Sequence, residues 1–185
     1  MFARSDAPLI VLGIDPGLSR CGYAVLHAHG QRDVRAVAIG VLSTPRDVAL
    51  PARLAELRGE LAALIAEAKP DVVVVEHVFF QVNVRTAMSV GQASGLALAE
   101  ASAAGCEVVQ YTPNQVKETV TGWGAADKAQ VQRMVQARLG LAAPPRPADA
   151  ADAAALALCH LAFAPMRRRV RDALGATERK AGSVA

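Results

Sequence analysis

The sequence predicts an α/β domain with one five-stranded mixed sheet flanked by helices. Three observations predict it. Two apolar runs, Leu9 to Ile14 and Val72 to Val75, each stop on an acid, Asp15 and Glu76. Such continuous runs mark strands buried on both faces. Only Gly-Leu-Ser-Arg, after the Pro16 that follows Asp15, parts the first run from the β-prone Cys21 to Leu26, so these two form a hairpin. Helical patterns then separate the later strands, which makes the later crossovers parallel.

The elements follow in order. Leu9 to Asp15 is the first strand, and Pro16-Gly17 behind it is turn chemistry. Cys21 to Leu26 and Val34 to Leu42 are the second and third strands. Pro51 opens a helix in which Leu54, Leu57, Leu61, Leu64 and Ile65 recur at helical spacing, and Lys69-Pro70 closes it. Asp71 to Glu76 is the fourth strand. Asn83 is the N-cap of a helix to Ala104, and Glu107 to Tyr111 is the fifth strand. Thr112 caps a short helix with Pro113 at its first position. Asp127 to Leu139 is helical and stops at Gly140, a Pro-rich connection follows over 142–147, and Ala148 to Phe163 is the last helix. Residues 1–165 form one domain and 166–185 a basic tail, with no internal repeat.

Composition narrows the function classes. The 185 residues are 52% hydrophobic but 4% aromatic, so the core is Val, Leu, Ile and Ala. No apolar run approaches the roughly 18 residues of a membrane span, and no signal-peptide pattern opens the chain. Cys21, Cys106 and Cys159 are odd in number and spaced unlike metal ligands, which points to a reducing, cytoplasmic setting.

Four acids carry the chemistry. Asp15 and Glu76 each end a buried run, and a charge at a strand tip needs a partner or a metal. If the two strands are parallel neighbours, both carboxylates leave the sheet at one edge. Asp149 and Asp152 stand in Asp-Ala-Ala-Asp at the start of a helix, on one face, with Cβ atoms about 5–6 Å apart. Each acid alone has a plainer explanation, as a turn residue, the first polar residue after a strand, or a dipole-stabilising residue of a first turn. Together they make a hard-oxygen site that suits Mg²⁺ or Mn²⁺. Two such ions can clamp the attacking and leaving oxygens of a phosphodiester.

The charge balance fits a nucleic acid. The net charge is +3, and setting the four acids aside leaves 13 acidic against 20 basic groups. Lys117, Lys128, Arg133, Arg138 and Arg146 lie between the fifth strand and the last helix, and Met166 to Ala185 is rich in arginine. These residues either meet phosphates or line solvated helix faces.

The segments GIDPGLSRCGYAVL, LPARLAEL, VVVVEHVFFQVN, GQASG, QVKETVTGWGAADKAQVQ and ADAADAAALALCH, in this order, resemble the RuvC family of crossover junction endodeoxyribonucleases. The resemblance runs from about Leu9 to His160. It implies a ribonuclease-H-like fold and a homodimer that nicks opposing strands of a four-way Holliday junction. It also implies two Mg²⁺ per active site, with Mn²⁺ as substitute, and a branch-migration motor of RuvA and RuvB as partner. By the same resemblance Asp15, Glu76, Asp149 and Asp152 are the catalytic metal ligands. Lys117 and Lys128 are DNA-binding, and Phe79 is an aromatic wedge at the junction. The residues before Leu9 and the Arg-rich tail depart from the pattern.

The helix from Asn83 to Ala104 is dense in small residues, and Gly91 and Gly95 make it the candidate dimer element; close packing onto its own sheet is the alternative. Two rival functions are an actin-like ATPase lobe, which also carries Ile-Asp-x-Gly after a strand, and a junction-binding protein without catalysis. The first would need a second lobe and no acid pair on a helix. The second would not need intact acids.

Overall fold

In a computed structural model, residues 7–30, 33–77 and 84–182 are described, with side chains over 7–30, 33–77 and 87–166. The sheet consists of β1 (Leu9–Asp15), β2 (Arg20–Ala28), β3 (Val34–Ser43), β4 (Val72–Glu76) and β5 (Glu107–Tyr111). Helices α1 (Leu50–Ala68), α2 (Val84–Ala103), α3 (Pro113–Thr121), α4 (Lys128–Leu139) and α5 (Ala148–Gly182) surround it. The strand order is β3-β2-β1-β4-β5. The first three strands are antiparallel neighbours, whereas β4 runs parallel to both β1 and β5. The predicted hairpin is present, and parallel adjacency of β1 and β4, the condition for both strand-tip acids to share one edge, is met.

Strand alternation sorts the core into two layers. Val11 of β1, Ala24 and Leu26 of β2, and Val72 and Val74 of β4 pack with Ala153, Leu156 and Ala157 of α5 and with Val116 and Val131 of α3 and α4. Leu12, Ile14, Val73 and Val75 face the other way, onto Leu57, Leu61 and Ile65 of α1 and Ala93, Ala97 and Ala101 of α2. Each fully buried Leu, Ile or Val of this kind contributes about 1.5–3 kcal/mol. By the same alternation, Asp15 and Glu76 belong to the α5 side.

Local chemistry sets the helix ends. Thr112 and Gln115 form a capping box on α3, and Asp127 and Gln130 form one on α4. Helix α1 stops where Lys69 takes a left-handed φ of 45° before Pro70. The predicted N-cap Asn83 lies outside the described residues. Helix α5 runs past the expected end at Phe163, through Pro165, to Gly182. The residues beyond are rich in Arg and Ala, good helix formers that outweigh one proline. No described helix is long and apolar enough to cross a membrane.

Candidate active site

Asp15 and Glu76 come together because of strand register. The parallel pairing of β1 and β4 ends at Ile14 opposite Val75, so both acids stand one residue past that rung, at the same sheet edge. Alternation directs both toward α5, which brings Asp149 and Asp152.

Helix α5 reaches the sheet through two glycines. A Cβ on Gly22 would overlap the backbone oxygen of Asp149, and one on Gly13 would overlap that of Ala153. Gly22 is the antiparallel partner of Asp15. The first turn of α5 therefore rests on the rung that carries the first acid, and only a residue without a side chain permits this approach. Beneath it the 16–20 turn is fixed to α1: Thr44 Oγ1 donates to the Leu18 carbonyl, and Arg53 donates to Thr44 Oγ1 (3.0 Å) and Ser19 Oγ (2.7 Å).

Electrostatics record the convergence. Burial, and then the charges of Glu76, Asp152 and Asp149, push the Asp15 carboxyl up to about 8. Burial and then Asp152 raise that of Glu76, while Lys128 and Lys117 act to lower it. Both candidate DNA-binding lysines thus stand within electrostatic reach of Glu76. Lys128 Nζ lies 3.2 Å from Asp152 Oδ2, and that carboxylate raises the ammonium's own pKa. Arg20 Nε lies 3.2 Å from Asp149 Oδ2, yet not along a hydrogen bond, and this buried oxygen has no hydrogen-bond partner among the described residues.

As they stand, no three acidic, histidine or cysteine side chains among the described residues are grouped so as to hold a metal ion. Two of the four acids are instead turned to Arg20 and Lys128, the cations at hand. The donor set nevertheless fits a divalent cation. It offers only hard carboxylate oxygens, one of them buried and unsatisfied, and burial, then the neighbouring carboxylates, raise the Asp15 carboxyl in a way that a bound cation would reverse. Cys21 is fully buried and its thiol is pushed up to about 12, chiefly by burial, which removes it as a nucleophile.

The comparisons with known proteins follow from this geometry. The family model described as crossover junction endodeoxyribonuclease RuvC matches residues 11–160. The chain belongs to this family. The enzyme of that name from Salinispora arenicola is 50% identical over 172 residues, 93% of this chain and 98% of its own. The structure of Thermus thermophilus RuvC in complex with a Holliday junction substrate superposes with a TM-score of 0.81 at 35% identity, covering 85% of this chain and 96% of that one. The yeast mitochondrial Holliday junction resolvase Ydc2 shares the fold, with a TM-score of 0.63 at 14% identity over 88% and 83% of the two chains. The fold is ribonuclease-H-like, as the resemblance implied, and the activity class is that of a crossover junction endodeoxyribonuclease, a metal-dependent nuclease.

Two residues of this arrangement, Arg20 and Gly22, escape the sequence reading. Arg20, beside Asp149, reads there as an ordinary turn residue. Gly22 had a usable signal, because an isolated glycine inside a β-prone run often marks a close backbone approach. Phe79 lies outside the described residues.

Proposed function

We propose that the enzyme resolves four-way Holliday junctions by paired, symmetric nicks in opposing strands, with Asp15, Glu76, Asp149 and Asp152 as its catalytic set. The observation that carries this reading is the gathering of four carboxylates at one sheet edge, where Asp15 feels the charge of the other three and Glu76 that of Asp152. The four acids would hold two Mg²⁺ ions, or Mn²⁺ in their place. When bound, such ions supply a polarised scissile phosphate and an acidified attacking water.

The chain's own residues supply position and charge. Asp15 and Glu76 sit on paired strands of the sheet, so their spacing is held by backbone rather than by a loop. Gly22 lets Asp149 close over Asp15. Lys117 and Lys128 carry positive charge to the rim, where the phosphates of the strand to be cut approach. Phe79, three residues past Glu76, wedges at the crossover and offsets the unstacking that brings a phosphate to the acids.

The enzyme works as a homodimer, which offers two equivalent sites to a junction of approximate two-fold symmetry. Among the described residues, no atom outside the local helix backbone lies within 4 Å of where a Cβ of Gly91 or Gly95 would stand, which favours an outward role for them over packing onto their own sheet. Residues 1–165 act as the nuclease domain and 166–185 as a basic tail on the DNA. A RuvA–RuvB motor delivers the junction in the cytoplasm.

The test is a nicking assay on an end-labelled synthetic four-way junction. Mg²⁺ should support a symmetric pair of cuts, and Ca²⁺ should support binding with little cutting, since its coordination is longer and looser. A wild-type protein that binds the junction but never cuts it in Mg²⁺ or Mn²⁺ would contradict this reading.

A further inference from the structure

The chain has one tryptophan, Trp123, and it is 58% exposed. Single exposed apolar residues are ordinary on protein surfaces, so exposure alone carries little. Its backbone, however, is fixed. Thr121 Oγ1 accepts the Trp123 N–H at 3.1 Å and lies within donating distance of the Lys117 and Trp123 carbonyls, at 2.8 and 3.0 Å. The Trp123 carbonyl accepts the Ala126 N–H at 3.1 Å. Buried Val120 and Ala126 anchor the turn on either side. The indole is displayed from an ordered turn, not from a frayed end.

Its location gives it a partner. The turn joins α3, which carries Lys117, to α4, which begins at Lys128. Lys128 Nζ is 3.2 Å from Asp152, and both lysines act on Glu76, so the turn joins the two helices that bring these lysines to the acid site. No other large exposed apolar residue among those described lies on it: Val37, Val48, Leu50, Met88 and Met166 are elsewhere. A protein partner would be met by an apolar patch. A lone indole between two cations is instead the combination that reads unpaired nucleotides, with ammonium groups on phosphates and a ring on a base.

We infer that Trp123 stacks on an unpaired or splayed nucleobase of the junction, next to the strand that enters the acid site. This rests on the junction-nuclease reading. It assigns the base contact to the α3–α4 turn, separate from the Phe79 wedge, while Lys117 and Lys128 hold the flanking phosphates.

Because the tryptophan is single, its fluorescence reports on this contact alone. The full-length Asp15→Asn protein is titrated with a fluorophore-labelled synthetic four-way junction, and anisotropy and tryptophan emission are read together. Emission should be quenched along the binding curve. Trp123→Ala should weaken binding roughly 5- to 150-fold, Trp123→Phe should keep most of the affinity, and neither should move the melting temperature. The salt dependence of Trp123→Ala should match that of the Asp15→Asn protein, whereas Lys117→Ala should flatten the slope by about one. Binding with unchanged emission, or unchanged affinity in Trp123→Ala, overturns the stacking contact and leaves the nuclease reading standing. An Asp15→Asn protein that shifts no anisotropy overturns both.

Discussion

The backbone oxygen of Asp149 lies against Gly22 where any side chain would have to begin. Gly22 is paired with Asp15, so one glycine couples the helix-borne acids to the strand-borne ones. The acid site therefore depends on a residue with no functional group.

Gly22→Ala should separate the two halves of the site. The added methyl meets backbone, not a flexible side chain, so α5 or β2 must shift. Overpacking of this kind costs about 1–3 kcal/mol, which a well-packed two-layer core survives. Nicking should fall at least tenfold in a protein that still folds and still binds junctions. Wild-type melting and wild-type nicking together would show that the contact is not tight enough to matter.

Asp15→Asn, Glu76→Gln, Asp149→Asn and Asp152→Asn should each abolish nicking and spare junction binding, because the acids converge as metal ligands rather than as DNA contacts. Gel-shift and nicking assays on the same junction separate the two effects. Near-normal cutting by the Asp15 variant would remove it from the catalytic set.

Much of this arrangement was legible before the fold was known. Runs of Leu, Ile and Val ending at Asp15 and Glu76 announced strand tips, and the short connection after Asp15 announced the hairpin. Adjacency of β1 and β4 was a conditional reading that the parallel register fulfils. The Arg20–Asp149 and Lys128–Asp152 pairs were not legible, since they join residues 129 and 24 positions apart through the packing of α5. The approach at Gly22 is likewise tertiary, because a strand glycine looks the same whether a helix or water lies above it. The continuation of α5 past Pro165 was hidden by the habit of ending helices at proline.

Gly91→Leu or Gly95→Leu should weaken the dimer without unfolding the chain. Both Cβ positions open onto free space among the described residues, so a leucine there meets none of them. Sedimentation should show monomer at concentrations where the wild type is dimeric, with melting nearly unchanged. A dimer of unaltered strength would put the interface on another face.

Asp15 should also give the metal-free protein a distinctive pH dependence. Burial first, and then Glu76, Asp152 and Asp149, raise its carboxyl from 3.8 to about 8. The unfolded chain releases this proton near pH 4, and the folded chain holds it until about pH 8. Between those values the folded state binds more protons, so stability falls as pH rises through the window and levels off above it. The loss is on the order of 5 kcal/mol, and the raised Glu76 carboxyl acts in the same direction. Lys128 does not offset it, because a raised ammonium titrates above 10.5, outside the window. Asp15→Asn removes the titrating group. Chelator-treated Asp15→Asn should melt close to wild type at pH 4 and clearly above it at pH 8. Excess Mg²⁺ should narrow that gap by binding the folded wild type. Circular dichroism melts of both proteins at the two pH values are the measurement, and identical melting at pH 8 would show that Asp15 is not held in a cluster of like charges.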